Sequence, residues 1–430
     1  MARSFWPLWW ATLVSSTGDG IRIVALPLFA ASLTRDPGAV SVVTVVGGLP
    51  WLLVGPFTGA LTDRLRDYRR VMWVTDLCSA VGIGLFGVIA ATGGGTIAML
   101  AGVNFLLGSI QTLRDGVTLS AVPRIVPKEG LETANSRLQA AQLITMELVG
   151  PPLGAVLFSL PTGAPFLIDA ASFVLSAAIV LGIADARLRA QRAVLDATGP
   201  ADSPDAPVAV PRGNLLQDVR HGMAWLWKHP LLRAVCLLVG LTNFAVMAVL
   251  AIAILYAYEV LHVSHLAYGL LLGLVAVGGL VGTLAAPVLT ERFGRGTLLR
   301  AVFAVSSAAF VVAGLTSTPL LAAGSLSLVG AGVGVANVVS VSLRQALVPE
   351  ELMGRVNSAY RFFAVGLGPV GAALSGASAE LWGLRAPFIL AAVVLAAGWL
   401  VALRTLRPSV IRRHLPQDGL RRAPASTTAE

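Results

Sequence analysis

From Val302 to Leu343 the chain carries no charged residue at all. A helix needs about 20 apolar residues to cross the hydrocarbon core of a bilayer. The run is long enough for two crossings, and Ser317, Thr318 and Pro319 supply a turn between them. Between Val71 and Ala91 the only charge is Asp76. Across the 430 residues 56% are hydrophobic and 12% are charged, roughly half the charged share of a soluble domain, too little to cover a soluble surface. In lipid the backbone must satisfy its own hydrogen bonds, which leaves helices or a closed barrel. No segment alternates with period two, so the expected fold class is an all-α membrane protein.

Apolar blocks separated by charged or turn-rich gaps predict twelve helices, near 8–31, 40–62, 71–91, 97–120, 138–160, 164–184, 231–256, 266–289, 298–316, 319–343, 357–378 and 385–403. This divides the chain into an N-terminal six-helix bundle (1–184), a linker (185–230), a C-terminal six-helix bundle (231–403) and a tail (404–430). Charge supports the count. With the N-terminus inside, 27 of the 31 Lys and Arg fall on the cytoplasmic side, only Arg35 and Arg385 lie outside, and Arg22 and Arg114 fall within helices. Such asymmetry orients membrane proteins, and it explains the net charge of +9 without nucleic acid. The expected location is the plasma membrane, multi-pass, with both termini cytoplasmic. The first apolar run contains Asp19 and Arg22, which argues for a retained helix over a cleaved signal peptide. In the linker, Leu215, Val219, Met223 and Leu226 recur at helical spacing opposite Asp218 and Arg220. This predicts an amphipathic helix, either on the membrane surface or packed on the protein's own loops. Trp6, Trp9 and Trp10 suit an interfacial belt.

The halves repeat. At an offset of 222 residues Pro127, Asn135, Ser136 and Gly154 meet Pro349, Asn357, Ser358 and Gly376, and Ala164, Pro165, Phe166 meet Ala386, Pro387, Phe388. Leu61, Thr62, Asp63, Arg64 are answered by Leu289, Thr290, Glu291, Arg292. Duplicated bundles around a midplane site characterise transporters that rock between two openings. These segments resemble the major facilitator superfamily. Gly59, Leu61, Asp63 and Arg64, followed by Arg69 and Arg70, are similar to its signature between helices two and three, with Arg66, Asp67 and Tyr68 where the family has a glycine. The second copy, Glu291 to Arg295, keeps that glycine as Gly294 and has Pro287 in the leading place. Ser16 to Asp19, Leu131 to Ser136, and Arg344 to Glu350 with Gly354 and Arg355 resemble the drug:proton antiporter branch that includes macrolide and enterobactin exporters. The resemblance implies two pseudo-symmetric bundles, with Gly59, Asp63, Arg64, Glu291 and Arg292 forming a conformational gate by bridging to the opposite bundle. Solvated loop charges setting topology are the alternative.

Ionisable groups at helix depth cost about 2.5–3.5 kcal/mol each on insertion scales and mark candidate function. Asp19 and Arg22 share one face of helix one, helix four carries Arg114 and Asp115, and helix five carries Glu147. Three carboxylates against two guanidiniums leave one without a cation. Desolvation disfavours the charged form of a carboxylate, which suits it to bind and release protons. Glu147, with no basic neighbour on its helix after Arg137, is the first candidate for proton coupling, followed by Asp19 and Asp115. Arg22 and Arg114 complete the charge network. A static network pinning helices one, four and five is the alternative. Asp76 and Asp169 read as local helix-end groups. Gly150, Pro151 and Gly154 resemble a helix-five motif carried by the superfamily's exporters. There Pro removes an internal hydrogen bond and bends the helix, while Gly permits close helix approach.

Trp51, Asn104, Phe105, Gln111, Asn243, Tyr256, Tyr258 and Asn337 are candidate cavity residues, with packing or interfacial anchoring the alternative for most of the aromatics. Cys78 and Cys236 lie in apolar blocks, so neither disulfide nor metal is expected. No cofactor, catalytic constellation or phosphate-binding Gly-x-x-x-x-Gly-Lys loop is present, which points away from enzymes and nucleotide-driven pumps. The leading expectation is a monomeric secondary transporter exporting a small hydrophobic or amphiphilic molecule in exchange for protons. Its partners are then the small-molecule substrate, protons and the lipid bilayer. An importer or lipid flippase on the same fold, and a non-transporting receptor or scaffold, are the alternatives.

Overall fold

The computed structural model describes residues 5–55, 58, 67–126, 130–182, 215–349 and 352–406. All the regular structure among them is helical. In the first half these are α1 (Phe5–Leu33), α2 (Pro37–Leu53), α3 (Tyr68–Ala91) and α4 (Ile97–Ile125). The fifth crossing is composite: α5 (Leu131–Gln142), a π-helical segment (Leu143–Val149) and α6 (Gly150–Leu157), followed by α7 (Ala164–Leu181). The amphipathic helix is α8 (Leu215–Lys228). The second half holds α9 (Pro230–Glu259), α10 (His265–Phe293), α11 (Arg295–Leu315), α12 (Pro319–Leu347), α13 (Met353–Trp382) and α14 (Ala386–Thr405). Eleven segments are long and apolar enough to cross a membrane, and Pro37–Leu53 is a shorter apolar helix. With that helix as the second crossing, the chain is an integral membrane protein of twelve transmembrane helices.

Local chemistry starts these helices where the sequence changes character. The Asp36 carboxylate accepts from Gly38 N at 2.9 Å ahead of α2, and Asp67 accepts from Arg70 N at 3.0 Å ahead of α3. Thr96 and Ser264 do the same for α4 and α10. Such side chains satisfy N–H groups that the first helical turn leaves unpaired.

Packing repeats between the halves. α1 and α3 both lie on α7, as α9 and α11 both lie on α14, and α2 on α4 matches α10 on α12. Within the second bundle α10 and α12 approach through Gly278, Gly282, Gly330 and Gly334, where any Cβ would collide with the facing backbone. Lipid supplies no hydrophobic drive between helices, so close backbone contact through small residues holds such pairs. The bundles meet along two related seams, α2 with α13 and α6 with α10. On the first, Gly48 faces Pro369 and Gly376 faces Ser41; on the second, Gly269 lies on Pro151, Pro152 and Ala155.

One apolar core at the ends away from the termini joins Val24, Leu28, Phe29 and Phe166 of the first half to Ile254, Leu255 and Tyr268 of the second. At the terminal face the cores are separate. Phe5, Leu8, Met72 and Ile125 cluster within the first bundle, and Leu226, Leu232, Val356 and Tyr360 within the second. An apolar core therefore joins the two bundles at the face away from the termini, whereas among the described residues no buried cluster spans both bundles at the face carrying the termini. α8 belongs to the second bundle: Leu226 is fully buried, Gly222 lies on the backbone of Arg355, and Trp227 packs on Phe363 at 4.7 Å. Of the two placements considered for this helix, the structure shows it against α13.

Candidate functional site

The polar face of α1 is built by spacing: Thr12, Ser15, Asp19 and Arg22 follow at three or four residues and point to one side. Asp19, Arg22 and Ser15 are all buried. Arg22 Nη2 donates to Asp19 Oδ1 at 2.5 Å and lies 3.4 Å from Gln111 Oε1 on α4. Its Nε stands 3.4 Å from Asp169 Oδ2 on α7. A turn nearer the terminal face, Arg114 Nε meets Asp76 Oδ1 at 2.6 Å and Nη1 donates to Ser15 at 2.7 Å. Ser176 on α7 stands 3.1 Å from the same guanidinium and 2.7 Å from Asp76 Oδ2. These two ion-paired groups tie α1, α3, α4 and α7 together inside the first bundle.

The expectation that Asp76 and Asp169 act locally at helix ends is corrected here. Both are 0% exposed and both pair with guanidiniums on other helices. α3 begins at Tyr68 and α7 at Ala164, which sets each carboxylate more than a turn inside its helix. Their partners are distant in sequence, so spacing along one helix could not reveal them. The helical stripe Asp169, Ser172, Ser176 on an otherwise apolar α7 was the available signal. Among the described residues the interior of the first bundle thus holds buried carboxylates at 19, 76 and 169 against buried guanidiniums at 22 and 114.

Glu147 and Asp115 stand apart from the paired groups. Among the described residues neither has a hydrogen bond or an ion pair. Asp115 is half-buried on α4, within electrostatic reach of Arg114, Asp19 and, from the second bundle, Arg361. Glu147 is exposed on the protein surface and lies in the π-helical turn Leu143–Val149. A π-turn inserts one extra residue into the helical register and often marks a functional position. Here it directly precedes Gly150 and Pro151. Gly150 lies against Gly20 of α1, and Gly154 lies against Ile21, with a Cβ at 154 only 2.6 Å from the Ile21 carbonyl oxygen. Pro151 and Pro152 on the opposite side meet Gly269 of α10. The Gly150, Pro151, Gly154 segment therefore sits between the charge-bearing helix α1 and the other bundle.

Gly59, Asp63 and Arg64 of the expected gate lie outside the described residues. Glu291 and Arg292 are exposed on the last turn of α10, where the Arg292 guanidinium lies 5.5 Å from the Phe293 ring. Among the described residues they have no cross-bundle partner, and they lie at the face carrying the termini.

Several candidate cavity residues turn out to be engaged in packing. Tyr256 is buried and donates to the Ala313 and Thr316 carbonyls at 2.5 and 2.9 Å. Asn104 donates to Val43 O at 3.0 Å, and Asn243 to Ala364 O at 2.9 Å. Tyr258 packs against the apolar core joining the bundles, with Arg35 over its ring at 5.4 Å and a hydrogen bond to His265. Trp51, Phe105 and Gln111 are half-buried and Asn337 is exposed. Trp51 on α2 carries the Arg361 guanidinium of α13 over its ring at 5.0 Å, a polar contact across the bundle seam. No group of three or more His, Cys, Asp or Glu among the described residues could hold a metal ion.

A family model described as Major Facilitator Superfamily matches residues 8–370. The multidrug efflux pump Tap of Mycolicibacterium fortuitum is 27% identical over 390 residues, covering 88% of this chain and 90% of that protein. Tap of Mycobacterium tuberculosis is 28% identical over 405 residues, with 92% and 91% covered. Among solved structures, the nucleoside transporter NupG (D323A mutant) superposes with a TM-score of 0.73 at 12% identity, covering 94% of this chain and 100% of that one. That last similarity speaks for the fold alone.

Proposed function

This chain belongs to the major facilitator superfamily, and on that footing we propose that it is a proton-coupled exporter of small hydrophobic or amphiphilic molecules. That it is a transporter of small substrates follows from the family. The finer reading is supported above all by one observation: the buried carboxylates Asp19, Asp76 and Asp169 outnumber the buried guanidiniums Arg22 and Arg114 inside the first bundle, and α1, which carries Asp19, packs on the seam helix α6. A proton gradient can drive transport when a group exchanges protons and its charge state biases one of two bundle arrangements. α1 carries Asp19 and Arg22 at its centre and touches the fifth crossing at Gly20 and Gly150. That crossing in turn touches α10 through Pro151 and Pro152. Charge on α1 and motion at the seam are thus mechanically contiguous. Glu147, Asp19 and Asp115 are the groups assigned to proton coupling, with Arg22 and Arg114 as their compensating charges.

Export is supported by the helix-five Gly-Pro segment and by the similarity over most of both chains to proteins named as multidrug efflux pumps. The same similarity to pumps named for several drugs supports the substrate class. The positive charge bias supports cytoplasmic termini, and with that orientation the apolar core joining the bundles at the opposite face supports reading this conformation as inward-open. Asp63, Arg64, Glu291 and Arg292 then act in the other state, bridging the bundles once the cytoplasmic face closes. The membrane is assigned as the plasma membrane and the working unit as a monomer.

Growth of a deletion strain and an overexpressing strain across a panel of lipophilic antibiotics and dyes tests this reading. Overexpression is expected to raise resistance and lower accumulation of at least one compound, and a proton uncoupler is expected to abolish the difference. Uncoupler-insensitive accumulation, or accumulation that rises with expression, would refute it.

A further inference from the structure

The two buried guanidiniums among the described residues of the first bundle, Arg22 and Arg114, sit in sites that differ in net charge. Arg114 faces one carboxylate, Asp76, and serines complete the site: Ser15 at 2.7 Å from the guanidinium and Ser176 at 2.7 Å from Asp76. Charge there is balanced. Arg22 faces two carboxylates, Asp19 and Asp169, 4% and 0% exposed at their side chains. The groups around Asp169 are Asp19 and Arg22 on α1, Gln111 on α4 through its contact with Arg22, and Ser172 on its own helix. The next charged groups are Asp76 and Arg114, paired with each other, and the half-buried Asp115, within electrostatic reach of Asp19 and Arg114. With both carboxylates ionised the site carries a net negative charge away from water, and an uncompensated buried ion costs several kcal/mol. One proton removes that cost.

Geometry says which oxygen carries it. Asp19 receives a 2.5 Å charge-assisted hydrogen bond from Arg22, the kind of contact that favours an ionised acceptor. Asp169 has only the 3.4 Å approach of Arg22 Nε, and among the described residues neither of its oxygens takes part in a hydrogen bond. Gly18 is the residue that lets it stand there, because a side chain at 18 would collide with Asp169 Oδ1 and Ser172 Oγ. We propose that Asp169 is a further proton-binding residue of the first bundle, beside those assigned to coupling above, holding a proton in this conformation and releasing it when Arg22 shifts from Asp19 toward both carboxylates. On release the O–H bond of Asp169 breaks, the proton passes to water, and the carboxylate pairs with the Arg22 guanidinium. The assignment takes its role in transport from the antiport reading above and its location from the unbalanced triad. Asp76 and Arg114 are then a structural pair.

Infrared difference spectroscopy of the full-length protein in lipid, acid minus alkaline, tests this without a substrate. The wild type is expected to show the carbonyl-stretch band of a buried protonated carboxyl. Asp169→Asn should lose that band, Asp169→Glu should shift its frequency, and Asp76→Asn should retain it. A band unchanged in Asp169→Asn overturns the proposal. Should that variant fail to fold, an unshifted band in Asp169→Glu overturns it equally. The two readings fail separately. A band that follows Asp169 without pH-gradient-driven transport removes the antiport reading and leaves the site. Coupled transport with a band indifferent to residue 169 removes the site and leaves antiport.

Discussion

Replacing Arg114 by Leu isolates what the balanced pair contributes. The guanidinium is 7% exposed at its side chain, stands 2.6 Å from Asp76 Oδ1 and touches Ser15 and Ser176. Its removal leaves a fully buried carboxylate with only the Ser176 hydroxyl as partner. Breaking a buried pair in this way costs about 3–5 kcal/mol. At 1.4 kcal/mol per tenfold this lowers the folded-to-unfolded ratio by roughly two to three-and-a-half orders of magnitude. Neutralising the second partner as well, in Asp76→Asn/Arg114→Leu, removes the uncompensated charge and should recover about 2 kcal/mol or more of that loss. The assay is a double-mutant cycle read by thermal or denaturant unfolding of the detergent-purified protein, with Asp76→Asn alone completing the square. Strong non-additivity is expected, the double variant being more stable than Arg114→Leu. Additive losses would refute the claim that the carboxylate and guanidinium compensate each other.

Cysteines placed at Ser41 and Gly376, in a background lacking Cys78 and Cys236, should form a disulfide across the α2–α13 seam. Transport should stop on oxidation and return with reductant, and failure to cross-link would contradict the joining of the bundles along this seam. Gly150→Val sets a side chain against the backbone of Gly20; overpacking of this sort costs about 1–3 kcal/mol, measurable as a lowered midpoint of unfolding, and transport should fall with it. Glu147→Gln should reduce gradient-driven efflux at least about tenfold, equivalent to 1.4 kcal/mol, while expression and unfolding temperature stay near wild type. Unchanged efflux in that variant would remove Glu147 from the coupling residues.

Much of this architecture is legible in the sequence because lipid imposes it. The uncharged run from Val302 to Leu343 has to become two helices, and α11 and α12 with the turn between them follow. The offset of 222 residues anticipated the repeated packing of α1 on α7 and α9 on α14. The pairing of Asp19 with Arg22 was readable because both lie on one helix at a spacing of three. Asp169 with Arg22 and Asp76 with Arg114 were not, since which helices face each other is decided by packing between distant segments. Their location close to predicted helix ends also disguised their depth. The π-turn holding Glu147 had no sequence signature beyond the prolines that follow it. Gly150 and Gly154 signalled close approach of a neighbouring helix, but that this helix is α1, through Gly20 and Ile21, emerged only with the fold. Tyr256 took the packing alternative: it is an aromatic residue whose hydroxyl is held by two carbonyls at a helix end.

Simultaneous recording of cargo flux and internal pH in liposomes reconstituted with the purified protein tests the central claim most directly. A pH gradient alone should drive a transported dye against its concentration gradient, and dye movement should be matched by an opposite movement of protons. Dye flux that proceeds only downhill, with the internal pH unaffected, would contradict the account.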